Sequence, residues 1–136
     1  MAAKTMKGRQ EHRGTETILL VEDDHQVSHL TKRILERFGY TVVTAANGKE
    51  ALKQYEELED GIALVILDLI MPGMGGKECL EYLCEIDPNV RILVTSGYAV
   101  SGVAEEIIES GAKGFVCKPY DMNQILTAVR EVLDSG

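Results

Sequence analysis

Short apolar runs alternate along the chain with segments in which apolar residues recur at helical spacing. The runs fall at residues 18–21, 40–45, 62–67, 90–94 and 114–117. Three of them read ILLV, IALVIL and VRILV, almost without a polar residue, which is typical of strands buried on both faces of a parallel sheet. The pattern therefore predicts five parallel strands.

The segments between the strands have the spacing and the end signals of helices. They cover residues 24–38, 47–58, 77–86, 100–110 and 121–133. Asn47 followed by Glu50 is typical of a helix N-terminus, and Gly111 stands where a helix C-cap is expected. Strict alternation of strands and helices predicts an α/β fold of the (βα)5 type. This is a doubly wound, five-stranded parallel sheet with helices on both faces.

Polar side chains with complementary chemistry follow the predicted strands. In an open parallel sheet, ligands bind at the carboxyl ends of the strands. The residues at these ends are Glu22, Asp23 and Asp24 after the first strand, Asp68 after the third, Thr95 and Ser96 after the fourth, and Lys118 after the fifth. Because crowded carboxylates repel one another, they indicate a bound cation. An all-oxygen ligand set suits Mg²⁺, with Mn²⁺ as an alternative.

Each of these residues also has a simpler explanation. Carboxylates are favoured at helix N-termini, a lone aspartate after a strand is usually a turn residue, and Lys-Pro is a common turn step. The convergence of these residues on one edge of the sheet is what favours a functional site over separate structural roles.

Composition narrows the class of function. The 136 residues suit one domain, and the net charge of −8 disfavours nucleic acid or an anionic membrane as the main partner. No apolar run approaches the ~20 residues of a membrane-spanning helix and no signal peptide is recognisable, so we expect a cytoplasmic protein. Basic residues concentrate near the N-terminus. We therefore expect residues 1–15 to be a disordered basic tail or linker and residues 16–136 to be the folded domain.

The three cysteines give no sign of a disulfide or a metal site. Cys79, Cys84 and Cys117 cannot all pair, none belongs to a C-x-x-C motif, and the three histidines all lie early in the chain. Free thiols in a reducing compartment are the simplest interpretation.

Four segments of the chain resemble the receiver domain of two-component response regulators. They are ILLVEDD, LVILDLIMPGMGG, ILVTSGYA and GAKGFVCKPY, and the resemblance extends over about residues 17–134. It implies the flavodoxin-like receiver fold and a phosphoacceptor function in two-component phosphorelay signalling. In that function, Asp68 accepts a phosphoryl group from a histidine kinase.

The resemblance also implies a set of metal ligands. Glu22 and Asp23 match the acidic pair that holds Mg²⁺ in receivers. Asp68 and the backbone carbonyl of Ile70 match the remaining protein ligands. The implied metal site therefore coincides with the carboxylates that already indicated a cation.

Further matches concern phosphoryl binding and switching. Ser96 and Lys118 match the hydroxyl and the ammonium that bind the phosphoryl group. Ser96 and Phe115 match the switch residues, whose movement rearranges the surface formed by helix 4, strand 5 and helix 5 of the predicted series, roughly residues 98–129. The resemblance also implies a cis peptide bond before Pro119.

Three other functions stay open at this point. An aspartyl-phosphate phosphohydrolase typically carries a second aspartate two residues after its nucleophile, where this chain has Ile70. A flavin- or nucleotide-binding module needs a Gly-rich phosphate loop after the first strand, where acidic residues would repel a phosphate. The third is a pseudo-receiver that is not phosphorylated and acts as a protein-interaction scaffold. We expect self-phosphorylation chemistry only, and no enzymatic turnover of an external substrate.

The resemblance implies a histidine kinase or a histidine phosphotransfer domain as the phosphodonor and leaves the downstream effector unidentified. GTETILLVEDD and ILVTSGYA are similar to the C-terminal receiver of hybrid histidine kinases, so the domain is either free-standing or part of such a kinase. Glu105, Glu106 and Glu109 have few basic partners nearby in sequence. We therefore expect a monomer or a weak dimer.

Overall fold

Five strands form a single parallel sheet in the computed structural model, which describes residues 12–58, 61–70, 75–97 and 109–135. The strands are β1 (Thr17–Val21), β2 (Thr41–Ala45), β3 (Ile62–Asp68), β4 (Ile92–Ser96) and β5 (Gly114–Cys117). Each of them lies on an apolar run that was predicted to be a strand, and this confirms the predicted series of strands.

Helices follow the strands as the spacing predicted. They are α1 (His25–Arg37), α2 (Gly48–Leu58), α3 (Gly76–Ile86) and α4 (Met122–Asp134). The fourth predicted helix, residues 100–110, lies outside the described residues apart from its last two positions, so α4 corresponds to the fifth predicted helix. Within the described ranges, no helix combines the length and the apolar character that crossing a bilayer requires.

The order of the strands brings the ends of β1 and β3 together. Across the sheet the order is β2-β1-β3-β4-β5, and every neighbouring pair is parallel. The order therefore reverses at β1 and β3, where the following connections leave in opposite directions and open a crevice at the carboxyl ends. Val21 pairs with Leu67. Glu22 and Asp68 consequently follow at the same level of the sheet.

Alternate residues of each strand build a buried layer on either face of the sheet. In β1, Leu19 and Val21 pack with residues of α2 and α3, whereas Ile18 and Leu20 pack with residues of α1 and α4. None of these four side chains is more than 1% exposed. The two layers confirm the prediction that helices cover both faces and that the strands are buried on both sides.

One of the three acidic residues that follow β1 caps the next helix and thereby differs in role from the other two. The Asp24 carboxylate accepts hydrogen bonds from the backbone N–H groups of Gln26 and Val27, at 2.9 and 3.2 Å, and thereby caps α1. A capping carboxylate satisfies backbone donors that the helix itself leaves unpaired. Asp24 thus serves the helix, and Glu22 and Asp23 are the acidic pair at the edge of the sheet.

The start of α3 lies against the backbone that follows Asp68. The Gly76 N–H donates to the Leu69 carbonyl oxygen at 2.9 Å. A Cβ atom at position 76 would lie 2.4 Å from the Leu69 Cα, which is closer than real Cβ atoms approach. Glycine therefore permits a contact that ties α3 to the turn after β3.

The chain just before β1 contacts the folded domain. The Gly14 N–H donates to the Phe38 carbonyl oxygen, and the Tyr40 hydroxyl donates to the His12 carbonyl oxygen, each at 3.1 Å. These residues belong to the segment that we expected to be a tail or linker, of which residues 1–11 lie outside the described residues. The contacts at residues 12–15 mean that this part of the segment lies on the domain.

Candidate functional site

Three carboxylates gather where β1 and β3 end. Glu22 directly follows β1, Asp23 comes next, and Asp68 is the last residue of β3. One oxygen from each lies within 4.8 Å of the other two. Glu22 and Asp68 are each 4% exposed. This carboxylate cluster, as we call these three residues, is thus partly withdrawn from the water that would screen its charges.

The ammonium group of Lys118 lies against the carboxylate cluster. It is 3.3 Å from Asp68 Oδ2 and donates a short hydrogen bond to Glu22 Oε1. The Lys118 N–H donates to the Ser96 carbonyl oxygen at 2.7 Å, which holds the backbone of Lys118 beside β4. The following peptide bond to Pro119 is cis, as the resemblance implied. The lysine that follows β5 thereby reaches the carboxylates at the ends of β1 and β3.

One cation does not balance the cluster. Burial and the neighbouring Asp68 together raise the pKa of Glu22 to about 7, against the opposing effect of the hydrogen bond from Lys118. Burial also lowers the pKa of Lys118, but Glu22 and Asp68 outweigh it, so that the pKa of the ammonium lies above its usual value. Lys118 is thus held charged, and the carboxylates around it retain an excess of negative charge.

The turn after β3 orients the Asp68 carboxylate. The Ile70 N–H donates to Asp68 Oδ1 at 3.3 Å, and the Leu69 N–H donates to the Thr95 carbonyl oxygen of β4 at 2.9 Å. The Ile70 side chain is 52% exposed and lies outside the core. These two backbone hydrogen bonds, both from residues just after Asp68, hold the end of β3 in place. The second carboxylate oxygen of Asp68, Oδ2, faces Lys118.

Ser96 lies on β4 next to the end of β3, whereas Phe115 lies apart from the carboxylates. Asp68 pairs with Thr95 in the sheet, so Ser96 is one residue further toward the edge where the carboxylates lie. Ser96 is fully buried. Phe115 pairs with Val94, is half-buried and packs against the core layer formed with α2 and α3. The structure thus gathers Glu22, Asp23, Asp68 and Lys118 directly, adds Ser96 through strand pairing, and keeps Phe115 on β5.

Sequence reasoning missed a contact beside the carboxylate cluster. The hydroxyl groups of Thr31 in α1 and Tyr120 after β5 lie 2.8 Å apart and share a hydrogen bond. The two residues are 89 positions apart in the chain. No short-range motif indicates such a pair. The available sequence signal is the alternation of strands and helices, which places α1 and α4, the helix just after Tyr120, on the same face of the sheet.

The same two residues help to line an apolar groove of 490 Å³. Its walls are formed by Val27, Leu30, Thr31, Ile34, Gly97, Lys118, Pro119 and Tyr120. Leu30 is 62% exposed there, which is unusual for a large apolar side chain. The groove runs from α1 to Lys118 and therefore opens directly beside the carboxylate cluster.

Known proteins of similar sequence are signalling proteins. Over 121 residues the chain is 38% identical to the sensor kinase CckA of Brucella abortus. The aligned region covers 89% of this chain but only 13% of the kinase. It is 34% identical to the chemotaxis protein CheY of Thermotoga maritima, over 85% of this chain and 95% of that protein. It is 35% identical to sporulation initiation phosphotransferase F of Bacillus subtilis, over 87% and 94%. The chain thus matches two small proteins nearly in full and one large kinase in a small part.

Solved structures of similar shape come from the same class of proteins. CheY in the CheX-CheY-BeF3-Mg+2 complex from Borrelia burgdorferi has a TM-score of 0.83 at 30% identity, covering 91% of this chain and 97% of that chain. A two-component response regulator of the LuxR family from Aurantimonas has a TM-score of 0.82 at 34% identity, covering 88% and 86%. The family model described as the response regulator receiver domain matches residues 18–130. The chain therefore belongs to the receiver domain family of two-component response regulators.

Proposed function

We propose that this receiver accepts a phosphoryl group on the Asp68 carboxylate from a phosphohistidine of a histidine kinase or of a histidine phosphotransfer domain. The observation that carries the proposal is the position of Asp68. It lies within 4.8 Å of two other carboxylates and has the Lys118 ammonium 3.3 Å from Oδ2. An anionic nucleophile with a fixed cation beside it is suited to attack phosphorus.

The carboxylate cluster fits a hard divalent cation. Its ligands are all oxygen, which favours Mg²⁺, with Mn²⁺ as an alternative. The residues that would hold the ion are Glu22, Asp23, Asp68 and, through its backbone carbonyl, Ile70. Receivers typically bind Mg²⁺ at an acidic pocket. When bound, such an ion supplies positive charge that offsets the negative charge of the transferring phosphoryl oxygens.

The side chains divide the work of transfer between them. An Asp68 oxygen attacks the phosphorus atom in line with the bond to the donor nitrogen, that bond breaks, and the product is an acyl phosphate on Asp68. Lys118 neutralises charge on the transferred group, and the Ser96 hydroxyl donates a hydrogen bond to one of its oxygens. Positioning and electrostatics suffice for this reaction, so that no general base is required.

Phosphorylation then switches the domain through Ser96 and Phe115. The Ser96 hydroxyl moves toward the phosphoryl group, and Phe115 turns into the space that it leaves. Support comes from their placement: Ser96 is buried at the end of β4, and half-buried Phe115 lies on the neighbouring strand. A packed core shifts between discrete arrangements, so the new hydrogen bond favours one of them and changes the surface around β5 and α4.

The phosphodonor protein would dock along the groove between α1 and the segment after β5. A protein donor must cover the surface beside Asp68 to bring its phosphohistidine within reach. The groove offers apolar area in that place, including Leu30, which is 62% exposed.

The proposed domain spans residues 16–136, with residues 12–15 of the preceding linker lying on it, and functions as a phosphoacceptor without turnover of an external substrate. Ile70 supports this view, because a phosphohydrolase of the aspartyl-phosphate type would carry an acid or base there. Similarity to the sensor kinase CckA, of which the chain spans 13%, is consistent with a receiver of a hybrid kinase. Similarity to CheY, of which it spans 95%, is equally consistent with a free-standing receiver.

Intact-protein mass after incubation with acetyl phosphate and Mg²⁺ tests the proposal. We expect wild-type protein to gain one phosphoryl group, and we expect no gain with EDTA or in Asp68→Asn. Asp134→Asn, which changes an aspartate at the other edge of the sheet, is the matched control and retains the gain. Equal labelling of Asp68→Asn and wild type would refute Asp68 as the acceptor. If wild type gains nothing, beryllofluoride binding with Mg²⁺ separates a receiver that needs a phosphohistidine donor from a pseudo-receiver scaffold, which would not bind it.

A further inference from the structure

The Thr31 and Tyr120 hydroxyl groups form a hydrogen bond that joins two elements of the phosphorylation site. The oxygens are 2.8 Å apart, Thr31 is 1% exposed, and Tyr120 is half-buried. Burial raises the pKa of the Tyr120 phenol, so the phenol stays protonated and able to donate. A partly buried hydrogen bond of this kind holds its partners in a fixed geometry, because breaking it leaves the hydroxyl of the buried Thr31 without this partner.

Each partner is close in sequence to one half of the charged site. Tyr120 follows Lys118 by two residues, across the cis bond to Pro119. Thr31 belongs to α1, which begins at His25, two residues after Asp23. The bond therefore spans from the helix that follows the acidic pair to the segment that carries the ammonium.

Backbone contacts fix this segment on both sides of Tyr120. Before it, the Lys118 N–H donates to the Ser96 carbonyl oxygen at 2.7 Å. After it, the Asp121 carboxylate accepts from the Gln124 N–H at 2.8 Å and caps α4. Between these two anchors, the bond from Tyr120 to Thr31 is the side-chain attachment to α1.

The choice of threonine at position 31 supports a role for its hydroxyl group. The position is on the buried face of α1, in a layer where its neighbour Leu35 is fully buried. A β-branched residue is not favoured in a helix, and valine would fill the same volume without a polar atom to satisfy. Thr31 is therefore best explained by the contact its hydroxyl makes with Tyr120.

We infer that the hydrogen bond between Thr31 and Tyr120 positions Lys118 against Glu22 and Asp68 for phosphoryl transfer. The inference rests on the proposed function. Thr31 and Tyr120 are positioning residues, since they act through Lys118 and not on the phosphoryl group itself. Loss of the bond leaves the three carboxylates in place but frees the segment after β5, so that the ammonium occupies its productive position for less of the time.

Phosphorylation by acetyl phosphate at saturating Mg²⁺ tests this inference in Thr31→Val, Tyr120→Phe and the double variant. A small donor is used because a protein donor would also contact the groove. We expect each single variant to be phosphorylated about fivefold more slowly, as for the loss of one buried hydrogen bond. The double variant should be no slower than the singles, since both remove the same bond. Thr31→Ser, which keeps a hydroxyl group, should restore most of the rate.

Two further measurements separate positioning from a loss of general stability. The Mg²⁺ concentration for half-maximal rate should stay within about twofold of wild type, because the carboxylates that bind the ion are unchanged. Tyr40→Phe, which removes a phenol hydrogen bond at the other edge of the sheet, should lower stability without slowing phosphorylation. If wild type is phosphorylated and the variants react within twofold of it, or if the two effects add, the inference fails alone. If wild type takes up no phosphoryl group and binds no beryllofluoride, the proposed function fails and the inference falls with it.

Discussion

The two edges of the sheet carry ionic clusters of similar composition and opposite behaviour. At the carboxyl edge, Lys118 contacts Glu22 and Asp68. At the amino edge, Arg130 contacts Glu16 and Asp134. Each cluster has one cation for at least two carboxylates, yet the pKa of Glu22 is raised whereas the pKa values of Glu16 and Asp134 are lowered.

The amino-edge cluster consists of groups that satisfy one another. The Arg130 Nη1 donates to both oxygens of Glu16, at 3.0 and 3.2 Å, and to the Tyr40 hydroxyl at 3.2 Å, while Nη2 donates to Asp134. Burial raises the pKa of Glu16, but hydrogen bonds from its own backbone and from Arg130 outweigh it. A guanidinium with several fixed donors suits two carboxylates well.

The difference lies in how many carboxylates are buried and how many donors face them. Glu22 is 4% exposed and has another buried carboxylate as its neighbour, whereas the Asp134 side chain is 64% exposed. Burial without enough donors keeps an excess of negative charge that a divalent cation can neutralise. A group of neighbouring carboxylates therefore indicates function only when the carboxylates are buried and their charge is not balanced by donors. In the described residues this applies to the carboxyl edge of the sheet.

Removal of the cation at each edge should separate chemistry from stability. We expect Lys118→Met to slow phosphorylation by acetyl phosphate about 100-fold or more, since it removes a charge that stabilises the transferring group. Arg130→Met should leave that rate within about twofold, because Arg130 lies at the opposite edge. Time courses of intact mass measure both, and a slow Arg130→Met would show that the two clusters are coupled.

The same guanidinium should matter more for folding. We expect Arg130→Met to lower the free energy of unfolding by about 1–2 kcal/mol, because Glu16 and the Tyr40 hydroxyl lose a donor that is partly shielded from water. Asp134→Asn should cost less than this, since its side chain is 64% exposed. Urea denaturation followed by circular dichroism measures both variants, and an unchanged midpoint for Arg130→Met would contradict the expectation.

At the carboxyl edge, removal of a carboxylate should stabilise the fold. We expect Asp68→Asn to raise the free energy of unfolding in EDTA by about 1 kcal/mol, because it relieves repulsion with buried Glu22. Adding Mg²⁺ should then stabilise wild type more than the variant, since only wild type keeps the full set of ligands. Lower stability of Asp68→Asn in EDTA would mean that its ion pair with Lys118 outweighs the repulsion.

The smallest expected effect is on the acid limb of stability. Because the folded pKa of Glu16 lies below its unfolded value of 4.5, the unfolded state binds more protons in that range. The contact with Arg130 therefore stabilises the fold above pH 4.5 and loses this effect as pH falls through the folded pKa. Solvent screening limits the contribution to a few tenths of a kcal/mol. The difference in urea midpoint between wild type and Arg130→Met should narrow slightly as the pH falls through the folded pKa of Glu16, and a constant difference would argue against this contribution.

The order of strands and helices could be predicted because it depends on local patterns. Strands buried on both faces must be apolar throughout, and helices on that sheet must carry an apolar stripe. The start of α2 followed in the same way, since Asn47 Oδ1 accepts from the Glu50 N–H at 2.8 Å. Parallel topology then placed the residues that follow β1 and β3 at one edge, so the carboxylate cluster could be predicted too.

What escaped prediction depends on contacts between distant parts of the chain. Val90 was assigned to β4 because it is apolar, but its N–H donates to the Asp87 carbonyl oxygen in a turn, and the strand begins at Ile92. A buried residue in a turn looks like a strand residue when only hydropathy is considered. The hydrogen bond between Thr31 and Tyr120 could not be predicted, since no local spacing encodes a pair from two different elements.

The approach of Gly76 to Leu69 has a consequence for genetics. A side chain at position 76 would meet the backbone directly after Asp68, 2.4 Å from the nearest atom. Random mutagenesis that selects for lost signalling should therefore recover substitutions of this glycine alongside those of charged residues. A position without any functional group would then rank among the most sensitive in the gene, because the placement of Asp68 depends on the absence of a side chain at residue 76.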